Sequence, residues 1–542
     1  MNKQKIFDRQ TQLDKLRSDV FDTFIIGGGI NGAVAAAALS AKGASIALID
    51  RADFAQETSS QSSNLVWGGI KYLETREFAL VNKLCKSRNE LMESFPSTVQ
   101  EIRFLTTIQK GFRFPPMFVY AGSVLYWLFG RFKTRAPKYL SAKAIKKRAG
   151  AVNIENSIGG FEYSDCFLYD NDSRFVFNFV RSAQKNGATT LNYLEALDSN
   201  YNGKIWTTNV KNQLTGETFA VKSKALVNAC GPWADQQNRV DNINTQHHHL
   251  FSKGVHLTVP KLSDNERVLA FFASDGRLFF VIPMGPVTCV GTTDTQVENP
   301  ESLVSDDDRE FILSNINALL DLDKPLSKGD IIAERCGVRP LAAKPSDEKA
   351  DWVALSRKHA IDIDVDRKHL SIFGGKTTDC INVGEEVSAV IADFGIELID
   401  TQSKWFGEPD KKQRKQFLDK AKTIKLDALT PLSSPEPLSR RLWRRYGWDA
   451  MPMLDAIQHD ASQAELVIED AEYIRCELNY TAQHEMICEL DDFLRRRSKI
   501  AMVVHADKIK KSQGLVEACK IFFGDQWQAK LDSYLSAPNT SN

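Results

Sequence analysis

Residues 23–50, with the sequence TFIIGGGINGAVAAAALSAKGASIALID, decide how the chain folds. Residues 23–26 and 45–49 each have the length and apolar character of a buried strand. Between them lie glycines with the spacing G-x-G-x-x-G and an alanine-rich stretch, residues 33–41, that predicts a helix. Asp50 ends the second strand. Strand, glycine turn, helix, strand and acid in this order predict a dinucleotide-binding βαβ unit.

Each glycine of this unit has its own physical task. Gly27 allows the tight turn, Gly29 lets the backbone approach a pyrophosphate, and Gly32 lets helix and strand pack closely. The positive end of the helix dipole attracts the phosphate charge. Asp50 lies 18 residues after Gly32, where its carboxylate can accept hydrogen bonds from both ribose hydroxyls. The alternative is a glycine-rich turn in an α/β unit that binds no ligand.

A segment rich in hydroxyl groups and glycines follows the acid, residues 51–74, RADFAQETSSQSSNLVWGGIKYLE. In an NAD site the chain after the acid usually continues into further strand–helix units. A hydroxyl-rich passage this close to the pyrophosphate can line a longer and more buried cofactor, so the pattern favours FAD. The predicted cofactor contacts in this segment are Thr58, Ser59, Ser60, Ser63, Gly68 and Gly69.

Composition narrows the class of protein. The chain has 542 residues, 43% hydrophobic and 25% charged, which is ordinary for a soluble globular enzyme of two to four domains. Lys+Arg and Asp+Glu both number 69, so no net charge argues for a nucleic-acid partner. The nine cysteines include no C-x-x-C pair, which indicates reduced thiols in the cytosol rather than disulfides or a zinc site.

One apolar segment leaves two interpretations open. The N-terminus is charged and lacks the apolar core of a signal peptide. No apolar run reaches the roughly 20 residues that span a bilayer. Residues 114–129, FPPMFVYAGSVLYWLF, form the longest uncharged run, and basic residues flank it: Lys110, Arg113, Arg131, Lys133 and Arg135. The segment is either a buried core helix or a helix that lies in a membrane interface.

Further motifs follow one another in a fixed order along the chain. They are GFEYSDC (160–166), LVNACGPWAD (226–235), KGVHLTVP (253–260), FVIPMGPVTCVGTTD (280–294), CGVRPL (336–341), ALSRKHAI (354–361), LSIFGGK (370–376) and LNYTAQHEMICELDDFLRRRSKIAM (478–502). Together with the two segments above, they cover roughly residues 20–505. In content and order the chain resembles the FAD-dependent glycerol-3-phosphate dehydrogenases and oxidases, as a divergent member.

This resemblance implies a cofactor, a reaction and partners. It implies FAD and the oxidation of sn-glycerol 3-phosphate to dihydroxyacetone phosphate, with electrons passed to a quinone-type acceptor. It also implies a cytoplasmic protein held peripherally on the inner face of the cell membrane, in agreement with the base-flanked segment 110–135. The sequence does not decide between quinone and oxygen as the acceptor, and it leaves a homodimer open.

Several positions depart from the family pattern near the substrate or the flavin. Trp67 stands where the family usually has histidine, and Lys71 stands where it usually has arginine. After Lys376 the family continues with two threonines, tyrosine and arginine, whereas this chain ends that run with Asp379 and Cys380. Two alternatives therefore stay open. The protein is a flavoenzyme for another small hydroxy- or amino-acid-like substrate, or a flavoprotein that binds without turnover.

Cations from distant segments are the candidate substrate ligands, because a phosphate ester requires converging positive charge. The catalytic candidates are Arg339, Lys376 and His256, and the substrate-binding candidates are Lys71, Tyr72, Lys253 and Arg357. Histidine titrates near neutrality, so His256 is the candidate base. Arg339 stays protonated and is expected to stabilise the alkoxide and the phosphate. Lys376 is expected to stabilise reduced flavin together with the dipole of the helix predicted to follow it.

The remaining cofactor candidates lie in two glycine-marked turns. They are Gly231 in the first turn and Gly374, Gly375, Thr377 and Thr378 in the second. A predicted helix, residues 377–394, begins at the second turn. The triplet His247-His248-His249 has no accompanying acid or cysteine cluster, so no metal site is expected. Asp306-Asp307-Asp308 predicts the N-terminus of a helix.

The predicted fold class is α/β with an α+β substrate domain. A Rossmann-like FAD-binding domain carries an inserted antiparallel-sheet substrate domain, and a helical domain ends the chain. The predicted boundaries are 20–75, 150–235 and 350–398 for the FAD-binding domain, 76–149 and 236–349 for the substrate domain, 401–437 for a linker, and 438–536 for the helical domain.

Overall fold

Two β-sheets and a C-terminal set of helices make up the fold. The structure is a computed structural model, and it describes residues 7–273, 277–347, 358–432 and 434–537. The strands, in chain order, are β1 (Val20–Ile26), β2 (Ile46–Ile49), β3 (Leu65–Val66), β4 (Val99–Gln109), β5 (Lys138–Leu140), β6 (Ser157–Leu168), β7 (Thr189–Leu191), β8 (Leu194–Tyr201), β9 (Trp206–Asn212), β10 (Thr218–Asn228), β11 (His248–Pro260), β12 (Val268–Phe272), β13 (Leu278–Met284), β14 (Val287–Gly291), β15 (Thr295–Val297), β16 (Ala333–Ala343), β17 (Ala360–Asp364) and β18 (His369–Phe373).

The helices alternate with these strands and then continue alone to the C-terminus. They are α1 (Arg9–Ser18), α2 (Ile30–Ala41), α3 (Phe78–Ser94), α4 (Pro116–Phe129), α5 (Ala142–Arg148), α6 (Asp172–Lys185), α7 (Ala234–Val240), α8 (Asp306–Leu319), α9 (Cys380–Asp393), α10 (Lys411–Thr423), α11 (Leu438–Tyr446), α12 (Met451–His459), α13 (Arg475–His484), α14 (Ile500–Val503), α15 (Ala506–Lys511), α16 (Gln513–Phe523) and α17 (Trp527–Ser536). A π-helix, Asp492–Arg497, precedes α14.

The first sheet is built around the glycine-marked βαβ unit. Its main ladder runs β17-β18-β10-β1-β2-β7, and the strands from β18 to β7 pair in parallel. β17 pairs with β18 in the antiparallel direction, and β9 and β8 extend the sheet from β10. Helix α2 covers the sheet, and its residues from Ala33 to Leu39 are fully buried. The small alanine side chains explain how the helix packs so close to the strands.

The second sheet is larger and mostly antiparallel. Its ladder runs β15-β11-β14-β13-β12-β4-β6-β3, with β16 beside β11 and β5 beside β6. One pair, β12 with β4, is parallel. A separate core of buried apolar residues, which includes Leu105, Leu257 and Ile312, lies between this sheet and α8. The α/β class with a second, mainly antiparallel sheet and a C-terminal helical domain is confirmed.

The predicted domain boundaries need two corrections. The range 150–235 was assigned to the FAD-binding domain, but β6 pairs along its length with β4 in the second sheet. The range 401–437 was assigned to a linker, but it contains α10, whose Phe417 and Ala421 are buried in the core of the C-terminal helices. We call residues 407–537, from α10 onward, the C-terminal domain.

Helix α4 corresponds to the apolar segment of the sequence, and it lies at the surface. Of its fourteen residues only Ser123 and Tyr126 are buried. Phe118 is 64% exposed and Met117 is 59% exposed. The segment is therefore not a core helix. Within the described parts of the chain, no helix has both the length and the hydropathy to cross a membrane.

Candidate active site

The turn after β1 has the shape that its glycines were expected to allow. Gly27 has φ of +101°, and a Cβ at this position would lie 2.5 Å from the carbonyl oxygen of Ala229. A Cβ on Gly32 would lie 1.8 Å from the carbonyl oxygen of Gly27. A Cβ on Gly29, the N-cap of α2, would lie 3.2 Å from Ser59 Oγ. Each side chain would fill space that the turn or a ligand needs.

Asp50 closes the turn from the other side. Its carboxylate accepts hydrogen bonds from the backbone N–H of Gly28 at 2.8 Å and of Ala52 at 3.0 Å. Burial raises the pKa of Asp50 to about 7. A cavity of about 240 Å³ opens beside this carboxylate. Its lining includes the predicted cofactor residues Gly27, Gly29, Asp50, Thr58, Ser59, Gly231, Gly374 and Gly375.

The hydroxyl-rich segment connects the first domain to the second sheet. Ser59 Oγ accepts a hydrogen bond of 3.0 Å from the backbone N–H of Ile30, at the start of α2. Thr58 Oγ1 donates to the carbonyl oxygen of Val338 at 2.7 Å, and Arg335 Nη1 donates to that of Ser62 at 2.6 Å. Several of these polar groups therefore hold the segment in place, and Ser59 lies at the N-terminus of α2.

The other predicted hydroxyls and glycines of the segment lie farther from this cavity. Ser60 Oγ donates to the carbonyl oxygen of Gln56 at 2.7 Å, within its own turn. Ser60, Ser63, Gly68 and Gly69 are absent from the lining of the 240 Å³ cavity, as far as the described residues define it. Gly68 and Gly69 instead lead into the aromatic group formed around Trp67 and Tyr72.

The Gly374-Gly375 turn is fixed by side chains from two helices and a strand. Asn31 Nδ2 donates to the carbonyl oxygen of Gly374 at 3.0 Å, and the N–H of Gly374 donates to His249 Nε2 at 3.3 Å. His249 Nδ1 lies 2.9 Å from Asp235 Oδ2. Asn31 Oδ1 is buried and has no hydrogen-bond partner among the described residues. An unpaired acceptor beside a polar cavity fits a bound group that donates hydrogen bonds.

One face of the second sheet carries most of the catalytic candidates. Residues directly opposite each other in an antiparallel pair share a face. Ser252 lies opposite Arg339 and His256 opposite Arg335, because β11 and β16 pair in this register. Gly291 lies opposite both His256 and Phe280, which continues the same face across β14 and β13.

Arg339 is held on this face by polar neighbours. Its Nη1 lies 3.4 Å from Asp294 Oδ1 and 3.4 Å from Ser252 Oγ. Its Nη2 lies 3.3 Å from Thr292 Oγ1. The Arg339 side chain keeps 28% of its surface exposed, so the guanidinium is fixed but remains accessible.

His256 is buried on the same face. It is 3% exposed, and neither ring nitrogen has a hydrogen-bond partner among the described residues. Burial lowers the pKa of His256 well below its usual range, and the positive charges of Arg335 and Arg339 lower it further. The imidazole is therefore neutral, which is the form that can accept a proton.

An aromatic group is formed by the loop that follows β3 and by strands of the second sheet. The rings of Trp67 and Tyr72 lie 6.1 Å apart, and Trp67 meets Phe280 edge-on at 6.5 Å. Trp67 Nε1 donates to Tyr163 Oη at 3.3 Å. Lys376 Nζ lies 4.2 Å from the centre of the Tyr72 ring and donates to the Tyr72 hydroxyl. The ring thus positions the ammonium group.

The residues beside this group have defined positions. Lys71 is half-buried and precedes Tyr72 in the short 3-10 helix Ile70–Leu73. The 3-10 helix Thr377–Asp379 follows Lys376 and leads into α9. Its Thr378 Oγ1 donates to the carbonyl oxygen of Trp67 at 3.2 Å. This hydrogen bond joins the loop that carries Lys376 to the loop that carries Trp67 and Tyr72.

Two predicted substrate ligands are not part of this group. Lys253 lies on the opposite face of β11 from its neighbours Ser252 and Gly254, because side chains alternate along a strand. Its Nζ forms a 2.6 Å ion pair with Asp308 Oδ2, at the start of α8, so its assignment as a substrate ligand is corrected. Arg357 lies outside the described residues.

Two other sequence features also have structural partners. Asp308 forms a capping box with Ser305, which confirms the acid cluster as the N-terminus of a helix. In the histidine triplet, His247 Nδ1 lies 2.7 Å from Asp362 Oδ1. In the described ranges, no group of three or more His, Cys, Asp or Glu side chains could hold a metal ion.

Asp379 and Cys380, which depart from the family pattern, are buried against helix α3. The Asp379 carboxylate lies 2.9 Å from His359 Nδ1 and 3.2 Å from Ser87 Oγ. Burial would raise the pKa of Asp379, but the hydrogen bonds from His359 and Asn382 and the charges of His359 and Lys83 together outweigh it, so the pKa is lowered. Cys380 is fully buried. Of the departures, Trp67 lies directly against the sheet face that carries the catalytic candidates.

Several residues that shape the site were not among those predicted from the sequence. Arg335, Asn31, His249 and Tyr163 each fix a candidate residue or turn. Arg335 could have been found, because a spacing of four residues places it on the same strand face as Arg339. Tyr163 and His249 act through pairings between distant segments, which no local pattern indicates.

Two family models match the chain and define its class. The model of the FAD dependent oxidoreductases matches residues 22–367. The model of the C-terminal domain of alpha-glycerophosphate oxidase matches residues 407–520. The protein is thus a flavin-dependent oxidoreductase, an enzyme whose cofactor is FAD.

Whole-chain comparisons refine this class. The chain is 31% identical over 510 residues to the aerobic glycerol-3-phosphate dehydrogenase of Staphylococcus aureus (strain MRSA252), covering 91% of this chain and 89% of that protein. It is 28% identical to the glycerol-3-phosphate dehydrogenase of Pseudomonas tolaasii, covering 91% and 94%. The solved glycerol-3-phosphate dehydrogenase of Bacillus halodurans, complexed with FAD, has the same fold, with a TM-score of 0.73 at 24% identity over 98% of both chains. The chain belongs to the family of FAD-dependent glycerol-3-phosphate dehydrogenases and oxidases.

Proposed function

We propose that the protein oxidises sn-glycerol 3-phosphate to dihydroxyacetone phosphate and passes the electrons to a quinone-type acceptor. The observation that carries this proposal is that two candidate cations are each held in a fixed position, Arg339 by Asp294 and Thr292 and Lys376 by the Tyr72 ring. A fixed guanidinium and a fixed ammonium suit a small phosphate ester. The names of the relatives, glycerol-3-phosphate dehydrogenases, support the same substrate.

FAD is proposed to bind in the cavity beside Asp50. The ribose hydroxyls of the adenosine half would donate to the Asp50 carboxylate, and the pyrophosphate would lie at the start of α2, near Gly29 and Ser59. The Gly374-Gly375 turn and Asn31 would hold the flavin half. Bound FAD would accept the hydride from the carbon that carries the substrate hydroxyl.

The cations are proposed to divide the work of substrate binding. Arg339 offers two donors in a planar fork and would hold a phosphate or alkoxide oxygen. Lys376 would orient the substrate from the opposite side and add positive charge near the start of α9. Tyr72 contacts this ammonium group, and Lys71 is the residue before Tyr72 in the sequence. Both would complete the pocket.

His256 is proposed to accept the proton of the substrate hydroxyl. Its pKa is lowered by burial and by two arginines, so a neutral imidazole is available. A dianionic phosphate bound at Arg339 would offset the positive charge of that arginine and raise the basicity of His256. The proton would then leave the hydroxyl oxygen as the hydride leaves carbon.

The exposed helix α4 supports a peripheral location on the inner face of the membrane. Its exposed apolar side chains include Met117, Phe118, Leu125 and Leu128. An exposed apolar helix of this kind can bury its side chains at the boundary of head groups and acyl chains. Nearby Arg113, Lys133 and Arg135 already contact acidic residues, so apolar contact should contribute more than charge. A membrane location would also give access to a lipid-soluble quinone.

The aromatic wall formed by Trp67 and the rings around it favours a second candidate function. Trp67, which stands where the family usually has a histidine, packs against the rings of Tyr72 and Phe280 and donates a hydrogen bond to Tyr163. Such a wall suits a substrate with an apolar part, such as another small hydroxy acid or amino acid. The solved structures of similar fold include an L-proline dehydrogenase, at a TM-score of 0.53 and 14% identity.

Product analysis tests the proposal. The FAD-loaded protein is incubated with sn-glycerol 3-phosphate and either a soluble quinone analogue or oxygen alone. We expect dihydroxyacetone phosphate to form rapidly with the quinone analogue and slowly with oxygen. Equal rates with both would refute the quinone assignment, and absence of the product with either would refute the substrate.

A further inference from the structure

The carboxylate of Asp53 lies three residues after Asp50 and is fully buried. It accepts a hydrogen bond of 2.6 Å from Arg496 Nε. Two parallel hydrogen bonds of 2.8 Å come from Arg497 Nη1 and Nη2, and a fourth comes from Asn192 Nδ2 at 2.8 Å. Both arginines belong to the C-terminal domain. Asp53, in the loop 50–57 that follows β2, therefore forms ion pairs with two arginines of the C-terminal domain.

The two arginines are themselves held in fixed positions. They end the π-helix Asp492–Arg497, and such helices are often found at functional sites. Arg496 Nη2 donates to Asp492 Oδ1 at 2.6 Å. Arg497 lies 3.7 Å above the ring of Phe177 and donates through Nε to the carbonyl oxygen of Glu485 at 3.1 Å. These contacts, in addition to Asp53, hold the two guanidinium groups in place.

Contacts lead from Asp53 to the cofactor turn. The ring of Phe54 fills the space beside Gly28, where an added Cβ would lie 2.1 Å from Phe54 Cδ1. The next residue, Ala55, has φ of +61° and donates through its N–H to the carbonyl oxygen of Gly28 at 3.1 Å. Gly28 in turn donates to the Asp50 carboxylate. The position of Asp53 therefore determines the shape of the loop that presents Asp50.

A cleft supplies a second, independent observation. A volume of about 1050 Å³ lies between the cofactor loop and the C-terminal domain. Its lining includes Arg51, Glu57 and Thr58, which also line the cofactor cavity. Asp491 and Arg496 form part of the opposite wall. The C-terminal domain thus borders the opening that leads to the cofactor cavity.

Charge makes the contact sensitive to substitution. Burial alone would raise the pKa of Asp53, but the charges of Arg497 and Arg496 outweigh it and lower the pKa. Asp53 is therefore ionised. Removing one member of a buried charged pair leaves the other without compensation, which is far more costly than losing a surface ion pair.

We propose that the C-terminal domain retains FAD in the first domain through the contact of Arg496 and Arg497 with Asp53. These three are positioning residues, because they act on the cofactor through the loop 50–57 and not by touching the substrate. The inference rests on the FAD site proposed above. It gives the C-terminal domain a role in the cofactor site itself.

The test compares the release of FAD from two matched variants of the full-length holoenzyme. Asp53→Asn removes the negative charge that pairs with Arg496 and Arg497. Asp449→Asn removes another buried acid at the same domain interface, whose partners Arg181 and Lys185 belong to α6 and not to the loop 50–57. The rate of release after dilution is read from the fluorescence of free flavin, and the dissociation constant from titration of the cofactor-free protein.

We expect Asp53→Asn to weaken FAD binding roughly 10- to 150-fold, as for the loss of a charge-assisted contact. Asp449→Asn should change it by less than about threefold, since its contact does not reach the loop. Equal FAD retention by the wild type and Asp53→Asn would overturn the proposal. Equal weakening by both variants would also overturn it, because docking in general would then be responsible.

A measurement on the wild-type protein covers the case in which Asp53→Asn does not fold. Coupling is reciprocal, so FAD must stabilise the contact that retains it. Hydrogen exchange of the amides in 492–497 should be slower in the FAD-loaded protein than in the cofactor-free protein. Unchanged exchange there would refute the proposal. Gly29→Val separates the two assumptions: if it also leaves FAD binding unchanged, the FAD site itself is wrong.

Discussion

The guanidinium of Arg339 lies directly over the backbone of Gly254, where an added Cβ would be 2.3 Å from Arg339 Nη2. Gly254→Ala should push this flexible side chain aside and leave the fold intact. We expect the KM for sn-glycerol 3-phosphate to rise roughly 10- to 150-fold, the cost of one charge-assisted contact, with FAD still bound. Steady-state kinetics measure it. Gly150→Ala is the control, because no atom lies within 4 Å of a Cβ there. An unchanged KM in Gly254→Ala would remove Arg339 from the substrate site.

The affinity for FAD should depend on pH through Asp50. Burial raises its pKa from 3.8 to about 7 in the cofactor-free chain, whereas ribose hydroxyls need an ionised acceptor. The dissociation constant of FAD should therefore rise up to about tenfold per unit as pH falls below about 7, and level off above it. Titrations of the cofactor-free protein across this range check it. Asp50→Asn should bind more weakly and show no such dependence. A flat profile in the wild type would contradict the role of Asp50.

The same raised pKa has an opposite effect on the stability of the cofactor-free protein. The folded form holds the Asp50 proton between the usual value of 3.8 and about 7, whereas the unfolded form releases it. The contribution of Asp50 to stability is therefore greatest below about pH 4 and declines as pH rises towards about 7. Denaturant midpoints of wild type and Asp50→Asn isolate this contribution.

Substitution of Lys71 tests whether this side chain lines the substrate pocket. Lys71→Ala should raise the KM for sn-glycerol 3-phosphate roughly 10- to 150-fold while FAD stays bound. The double variant Lys71→Arg with Trp67→His should increase kcat/KM for this substrate if the departures reflect a changed substrate. Kinetics with both variants decide the matter. An unchanged KM in Lys71→Ala would show that Lys71 points elsewhere, and the phosphate would then depend on Arg339 and Lys376.

Helix α4 should carry the membrane affinity. Phe118→Glu replaces an apolar side chain that is 64% exposed with a charge, and we expect binding to vesicles of anionic lipid to fall roughly tenfold or more. Val365→Glu is the control, because Val365 is equally exposed, at 66%, but lies outside α4. Cosedimentation measures both, and added salt should weaken wild-type binding only modestly. Equal binding by Phe118→Glu and wild type would exclude this helix as the contact.

The parts of the fold that could be predicted from the sequence are those that depend on residues close together in the chain. The turn at Gly27 and the acid at Asp50 follow from spacing within one βαβ unit, so the cofactor and the first sheet could be predicted. Lys253 was misassigned because the face of a strand residue depends on register, and the register of β11 is set by β16, some eighty residues away. Arg335 is different, because its spacing of four residues from Arg339 on one strand already indicates a shared face.

Contacts between domains were beyond the sequence patterns. The helix α10 was taken for a linker because its polar and basic surface concealed Phe417 and Ala421, whose spacing of four residues does indicate one buried helix face. Nothing near Asp53 shows that its partners lie more than four hundred residues later. Such pairings depend on the whole packing of the chain, which local periodicity does not contain.

The central claim is that this protein oxidises sn-glycerol 3-phosphate with its own FAD. Anaerobic addition of this substrate to the FAD-loaded protein tests the claim most directly, because only the reductive half of the reaction is observed. We predict that the visible absorption of the flavin is lost and that an equal amount of dihydroxyacetone phosphate appears. A flavin that stays oxidised with sn-glycerol 3-phosphate, but is bleached by dithionite or by a small hydroxy acid or amino acid, would contradict it.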